Sequence, residues 1–157
     1  MSHVNAVFFH GGPFSQFYKT KFVVDSVEFC CAEQFMMYSK ATMFDDMHAA
    51  TEIMKEERPF MMQKWGRTVR NFDQTLWDVH KLAIVTKGNL AKFQNASLQQ
   101  KLSSTGENLI AEASPYDKIW GIGLDVQKAK RTPVEEWPGL NLLGKALMDV
   151  RSKLRDR

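Results

Sequence analysis

The segment CAEQFMMYSKA, residues 31–41, constrains the fold more than any other part of the chain. It has the composition of a helix, and apolar side chains on every turn are typical of a helix that is buried on all sides. Glu33 and Lys40 interrupt this apolar surface and, at a spacing of seven residues, lie on one face. Because burying an unpaired charge is unfavourable, we expect both side chains either to pair within the structure or to face a ligand.

Apolar periodicity and turn signals predict the other elements. A strand is predicted over 4–12 and a hairpin within 15–29, with its turn at Asp25 and Ser26. Two short extended pieces are predicted at 107–114 and 119–125. The predicted helices are 31–44, 45–57, 58–66, 73–95, 97–106 and 140–155.

The rest of the second half has weaker signals. SPYD (114–117) has the serine, proline and aspartate of a helix start, and 126–139 is predicted to be a polar loop. The 157 residues suit one domain. We therefore predict a single α+β domain over 1–157, predominantly helical, with a small N-terminal β portion.

Composition narrows the class of protein. The net charge of +3 is too small to indicate nucleic-acid binding by itself. The basic segment 127–131 is interpreted either as a solvated loop or as a contact for nucleic acid. The two cysteines are neighbours, which disfavours a disulfide and favours a reducing, cytoplasmic location. We expect no signal peptide and no membrane span. Neither a metal nor a cofactor is predicted, because the histidines lack metal-ligand spacing: His3, His10, His48 and His80.

Several polar and aromatic residues allow both a structural and a functional interpretation. Asp117 suits a helix cap or a site carboxylate, and Trp120 suits the core or a stacking surface. Asn141 either caps the last helix or marks an N-terminus whose free N–H groups bind phosphate. Arg67 follows a glycine and suits an anion clamp, and Lys92 interrupts an apolar run.

Taken together, these motifs resemble the NADAR (YbiA-like) family over nearly the whole chain. Position 34 departs from the family pattern, because it is glutamine where many members carry histidine. The motifs that carry the resemblance are FSQFY (14–18), CAEQFMMYSKA (31–41), Gly66 with Arg67, Trp77, GNLAKF (88–93), Leu102 to Gly106, EASPYDKIWGIG (112–123) and NLLGKALMDVR (141–151).

The resemblance implies a compact, mostly helical α+β domain that hydrolyses N-glycosidic bonds without a cofactor. One implied substrate is a ribosylamine 5-phosphate from early riboflavin biosynthesis. An alternative is the ADP-ribose carried by guanine bases of nucleic acid or nucleotides, and a second alternative is a non-catalytic module that binds ADP-ribose or NAD. The small net charge favours the small phosphorylated substrate.

Cleavage of a ribose C1–N bond requires a proton for the departing group and stabilisation of positive charge at C1. Glu33 is the first candidate for the acid or base, because burial raises the pKa of a carboxyl toward neutrality. Asp117 is the second carboxylate. Lys92, with Lys40 as an alternative, could instead form an imine with the ring-opened sugar. The substrate-binding residues expected from the motifs are Phe17, Lys40, Arg67, Trp77, Trp120, Gly121 and Asn141.

Overall fold

The computed structural model describes residues 5–157, so His3 and the first residue of the strand predicted over 4–12 lie outside the described residues. The chain divides into two units by its internal contacts. The central unit is Gln16–Lys92. The terminal unit combines Met1–Ser15 with Phe93–Arg157.

The described residues contain four short strands and seven α-helices. The strands are β1 (Ala6–Phe9), β2 (Phe22–Val24), β3 (Val27–Phe29) and β4 (Leu109–Glu112). The helices are α1 (Ala32–Met43), α2 (Met47–Lys55), α3 (Pro59–Gly66), α4 (Gln74–Lys92), α5 (Ala96–Ser103), α6 (Val126–Lys130) and α7 (Leu142–Arg155). The α+β class, with helices in the majority and three of the strands near the N-terminus, is confirmed.

In the central unit, β2 and β3 form the predicted antiparallel hairpin, in which Phe22 pairs with Phe29. Asp25 and Ser26 supply the turn with φ values of 50° and 68°, a conformation that twists in the same sense as the strands. The hairpin buries its phenylalanines against Phe35 of α1. Helix α1 contacts α2, α3 and α4. The predicted burial is confirmed for its first half, Ala32–Met37, whereas most of its second half is half-buried: Tyr38, Ser39, Lys40, Thr42 and Met43.

The glutamine at position 34 has a structural role at the start of α1. Its Oε1 accepts the N–H of Cys30 at 2.8 Å, which satisfies a donor just outside the helix. Its Nε2 donates to the carbonyl of Ile53 at 3.1 Å, in the last turn of α2. The side chain therefore joins two helices and has its hydrogen bonds within the central unit.

Close packing of α1 on α3 depends on a glycine. A Cβ placed on Gly66 would overlap the sulfur of Met37, and Met37 is buried. We predict that Gly66→Ala destabilises the protein by about 1–3 kcal/mol through overpacking, measured by urea denaturation. Met37→Ala in the same chain should relieve part of that loss, and an additive double variant would contradict this explanation.

In the terminal unit, β1 and β4 form a parallel pair in which Ala6 lies opposite Leu109. Helix α7 contacts β4. A core cluster forms where Ala111 and Ala113 at β4 meet Ile122 and Ala129, with Phe8 and Trp137 packed at its edge. The strand predicted over 107–114 is thus confirmed as the shorter β4.

The interpretation of residues 114–125 is wrong in two respects. No helix starts at 114–117, because Asp117 Oδ1 accepts the N–H groups of Ile119 and Trp120 and closes a turn instead. Residues 119–125, all of which the structure describes, form no strand. The carbonyls of Ile119, Trp120 and Gly121 accept N–H groups from the start of α7, so they are not available for a sheet.

Two smaller predictions are also wrong. The segment 126–139 is not all loop: Asp125 Oδ1 accepts the N–H of Lys128 and caps the short helix α6, and a turn of 3-10 helix follows at Val134–Glu136. The helix predicted over 97–106 is the shorter α5, Ala96–Ser103, which is capped by Asn95 because Asn95 Oδ1 accepts the N–H of Leu98 at 3.1 Å. Among residues 5–157, no helix combines the length and the apolar composition that crossing a bilayer requires.

Candidate active site

Glu33 lies in the first turn of α1 and is 2% exposed. Its backbone N–H donates to the carbonyl of Gln16 at 2.9 Å, which anchors the start of the helix to the segment before it. The ionisable group that the sequence places in an apolar helix is therefore enclosed in the central unit.

Lys40, two turns further along α1, is half-buried and lies beside two aromatic rings. Its Nζ is 4.6 Å from the centre of Phe72 and 5.5 Å from that of Trp77, distances typical of cation–π contacts. Burial lowers the pKa of Lys40, the negative charge of Glu33 opposes that change, and the positive charge of Arg67 adds to it. Four predicted site residues therefore interact within the central unit: Glu33, Lys40, Arg67 and Trp77. Of these, Trp77 is buried and Arg67 is exposed.

Lys92 stands at the end of α4 and is 1% exposed. Burial lowers its pKa to about 7, and a negative charge on Cys31 would oppose this change. The Cys31 thiol stays neutral near pH 7, because its own burial raises its pKa to about 12. The Lys92 Nζ also lies 5.6 Å from the centre of the Tyr18 ring. A large part of the Lys92 population is therefore a neutral amine at neutral pH.

Two buried amides connect α1 to α4. Gln16, whose carbonyl binds the N–H of Glu33, accepts at its side-chain Oε1 a hydrogen bond of 2.8 Å from Asn89 Nδ2. Asn89 lies three residues before Lys92 on α4, so the two share a face of the helix. Neither amide is among the residues predicted from the sequence, although the motifs FSQFY and GNLAKF contain them. Phe17, expected to bind substrate, follows Gln16 and is exposed.

The other predicted site residues belong to the terminal unit. Asp117 uses Oδ1 to accept the N–H groups of Ile119 and Trp120 at 2.9 and 2.8 Å. Gly121 follows where the backbone is crowded, since a Cβ there would lie 2.9 Å from the carbonyl oxygen of Asp117. Asp117 therefore holds this turn in shape and presents a half-buried Trp120 beside it.

Asn141 does not cap α7 with its side chain. Its backbone has a φ of 54°. Its side-chain amide is hydrogen-bonded to β4 instead: Nδ2 donates to the carbonyl of Ile110 at 2.9 Å, and Oδ1 accepts the N–H of Glu112 at 3.1 Å. The N–H groups expected to be free for phosphate are used as well. Those of Asn141, Leu142 and Leu143 donate to loop carbonyls, so this helix start is closed by protein.

Glu112, at the end of β4, is a titratable residue that the sequence analysis did not select. Burial, together with the neighbouring negative charge of Asp117, raises its pKa to about 7. It lies at the start of the motif EASPYDKIWGIG. The sequence alone gives no reason to single out Glu112, because a glutamate at a strand end is usually solvated. The terminal unit thus holds a carboxyl that gains or loses a proton near neutral pH.

Comparison with known proteins gives consistent matches along the chain. A family model described as the NADAR domain matches residues 7–155. N-glycosidase R617 of Acanthamoeba polyphaga mimivirus is 45% identical over 161 residues, covering 94% of this chain and 95% of that protein. The riboflavin biosynthesis protein PYRR, chloroplastic, of Zea mays is 32% identical over 108 residues, which cover 66% of this chain and 16% of that protein.

A solved structure has the same fold. The NMR structure of the E. coli protein YbiA aligns with a TM-score of 0.80 and 25% sequence identity, covering 99% of this chain and 88% of that chain. The expected resemblance of fold is therefore confirmed.

Proposed function

The chain belongs to the NADAR family and is a hydrolase of N-glycosyl bonds, and we propose that its substrate is a ribosylamine 5-phosphate of the kind formed early in riboflavin biosynthesis. Similarity along almost the full length of a protein named N-glycosidase supports the reaction class. Similarity to a riboflavin biosynthesis protein supports the substrate class.

The observation that carries the proposal is the pair of buried ionisable groups in the central unit. Glu33 and Lys92 are 2% and 1% exposed, and each is held next to one of the linked amides Gln16 and Asn89. Such burial is costly, and a lysine that is half neutral near pH 7 is suited to attack a sugar carbonyl carbon. A protein that only bound ADP-ribose would not need this amine.

The proposed reaction starts from the ring-opened sugar, in which C1 is joined to the departing nitrogen as an imine. The neutral Lys92 amine attacks C1 and forms a C1–N bond. As the C1–N double bond to the departing nitrogen opens, that nitrogen takes one proton from Glu33. The Lys92 nitrogen then returns a proton to Glu33, which passes it to the departing nitrogen, so that the remaining bond breaks and the amine leaves while Lys92 forms an imine with C1. Water attacks the remaining lysine imine, which releases ribose 5-phosphate and regenerates Lys92. No oxidant or reductant is needed.

The remaining polar residues of the central unit suit the phosphate. Lys40, which lies over the Trp77 ring, and Arg67, whose positive charge acts on Lys40, provide two positive charges, and a guanidinium matches the geometry of phosphate oxygens. Phe17 and Trp77 are proposed as sugar- or base-covering surfaces. Asp117, Trp120, Gly121 and Asn141 stay predicted site residues, with Asn141 acting through β4 rather than through free N–H groups.

A release assay tests the substrate class. Purified protein is incubated with an aminopyrimidine ribosylamine 5-phosphate and, separately, with DNA carrying ADP-ribosylated guanine, and free base and free ADP-ribose are measured by mass spectrometry. The proposal expects free aminopyrimidine and ribose 5-phosphate from the first substrate. Release from the DNA alone would replace the proposal with the ADP-ribosyl hydrolase, and release from neither would favour the binding module.

The rate should rise with pH through about 7. The folded-state pKa of Lys92 is lowered to about 7, so the reactive neutral amine is scarce below that pH and dominant above it. We expect kcat/KM to increase about tenfold per pH unit on the acid side and to level off above neutrality. A pH–rate profile on the ribosylamine substrate measures this.

The control for the pH profile is Glu112, whose pKa is also about 7. If Lys92 causes the increase of kcat/KM with pH below neutrality, Glu112→Gln should retain that increase, the acid limb of the profile. A limb that disappears in Glu112→Gln would assign the titration to that carboxyl and contradict the proposed role of the amine.

A further inference from the structure

The amide pair Gln16 and Asn89 has hydrogen-bonding capacity that the protein does not use. Gln16 is 8% exposed and Asn89 is 0% exposed. Asn89 Nδ2 donates both to Gln16 Oε1 at 2.8 Å and to the carbonyl of Val85 at 2.9 Å. Among residues 5–157, the other two amide atoms, Gln16 Nε2 and Asn89 Oδ1, have no hydrogen-bond partner.

The hydrogen bond to the backbone carbonyl of Val85 determines which atom of each amide has no hydrogen-bond partner. If the Asn89 amide were flipped, its oxygen would face the carbonyl oxygen of Val85, and two acceptors would repel each other. With Asn89 Nδ2 directed at Gln16, the glutamine must present its oxygen to that donor. The unused pair is therefore one donor, on Gln16, and one acceptor, on Asn89.

A donor and an acceptor on adjacent side chains match a ligand group that does both. Buried polar atoms nearly always have partners, and an orphaned atom in a buried position needs an explanation such as a ligand. A sugar hydroxyl accepts one hydrogen bond and donates another. The pair thus suits a hydroxyl group held between Gln16 Nε2 and Asn89 Oδ1.

The position of the pair relates that hydroxyl to the reacting carbon. Asn89 lies one helical turn before Lys92, and the carbonyl of Gln16 binds the N–H of Glu33. When Lys92 attacks C1, the neighbouring carbon, C2, is bonded to the reacting atom. Along the chain of the ring-opened sugar, the C2 hydroxyl is therefore the hydroxyl nearest to C1 and to the Lys92 nitrogen bonded to it.

We propose that Gln16 and Asn89 bind the C2 hydroxyl of the ribose, which makes the site selective for ribosyl over 2-deoxyribosyl compounds. The hydroxyl accepts from Gln16 Nε2 and donates to Asn89 Oδ1. This assignment rests on the proposed function, since attack at C1 by Lys92 is what places C2 beside the pair. The two amides hold the sugar and are not catalytic residues.

The test compares binding of ribose 5-phosphate and 2-deoxyribose 5-phosphate to the wild-type protein by calorimetry, which needs no turnover. Loss of the hydroxyl leaves two buried polar atoms unpaired, so we expect the deoxy sugar to bind at least about tenfold more weakly. Equal affinity for the two sugars would overturn the proposal. This comparison needs no variant and is therefore independent of folding defects.

Two glutamine variants separate recognition from packing. Gln16→Met keeps the size of the side chain but removes the donor. We expect the ratio of the affinities for ribose 5-phosphate and 2-deoxyribose 5-phosphate to fall toward one in this variant. Gln34→Met removes a buried amide of the same type whose bonds join α1 to α2. That control should lose stability and keep the preference. A preference that survives in Gln16→Met would overturn the assignment to Gln16.

Turnover of the two sugars distinguishes this inference from the proposed function. If the ribosylamine and its 2-deoxy analogue are cleaved equally fast, the proposed function stands and the hydroxyl site is wrong. If neither is cleaved but wild-type binding still prefers ribose 5-phosphate, the hydroxyl site stands and the proposed function is wrong.

Discussion

Replacing Lys92 with methionine is expected to reduce release of the base from a ribosylamine 5-phosphate by on the order of 10³ or more, because the substitution removes the proposed attacking amine. Methionine has nearly the same length and is apolar, so the buried position stays filled. The rate is measured from free aminopyrimidine in single-turnover experiments. A variant that keeps the wild-type rate would contradict the proposed attack by Lys92.

The same substitution should stabilise the protein near neutral pH. The folded-state pKa of Lys92 is about 7 against an ordinary value of 10.5, so the unfolded chain binds more protons between these values. The buried lysine therefore costs stability at pH 7, and that cost decreases as pH rises toward 10.5. We expect Lys92→Met to have the higher Tm at pH 7, which separates loss of chemistry from loss of fold.

Lys87 provides the matched control on the same helix. It is exposed and pairs with Asp25 at 3.0 Å on the surface of the central unit. Lys87→Met should therefore keep the wild-type rate. Its free energy of unfolding should change only by the small amount that a surface ion pair contributes. Equal losses in the two variants would mean that the effect at Lys92 comes from a general change of charge.

Replacing Glu33 with glutamine is expected to lower kcat about 10²–10⁴-fold, the usual contribution of a positioned general acid or base. Glutamine keeps the shape of the side chain but cannot release a proton to the departing nitrogen. Binding of ribose 5-phosphate, followed by calorimetry, should remain. A variant with undiminished kcat would show that the departing nitrogen takes its proton from another group.

The control for Glu33 is a partly exposed glutamate on a neighbouring helix. Glu52 of α2 lies 3.6 Å from Lys55 in a surface ion pair. Glu52→Gln should leave kcat unchanged. If Glu33→Gln instead loses ligand binding together with turnover, the carboxylate positions the start of α1 rather than transferring a proton.

The sequence predicts the architecture of the central unit well because its signals are local. Apolar residues all around α1 require burial, and the Asp25–Ser26 turn selects the hairpin register. The pairing of β1 with β4 is different. It joins segments about a hundred residues apart, and neither strand carries a local sign of its partner.

The sequence indicates candidate site residues where a charge conflicts with its apolar surroundings. Glu33, Lys40 and Lys92 are visible because each interrupts an apolar run. Gln16 and Asn89 are not, since buried amides have no periodicity and their importance appears only when the hydrogen bonds are counted. Glu112 is hidden for a related reason: its raised pKa comes from tertiary burial and from Asp117.

The turn at 117–123 shows how tertiary structure overrides local propensity. SPYD has the order of a helix start, but the oxygen of Asp117 binds the N–H groups two and three residues ahead. The carbonyls that follow then receive N–H groups from α7. A segment that closes the start of another helix cannot also extend as a strand.

The central claim is that Lys92 forms a covalent imine with the substrate sugar. Sodium borohydride is added during turnover of the ribosylamine 5-phosphate, and the protein is analysed by intact-mass and peptide mass spectrometry. We predict a reduced pentose phosphate adduct on Lys92 that is absent in Lys92→Met and retained in Lys40→Met. Unmodified protein during undiminished turnover, or an adduct on Lys40 alone, would contradict this account.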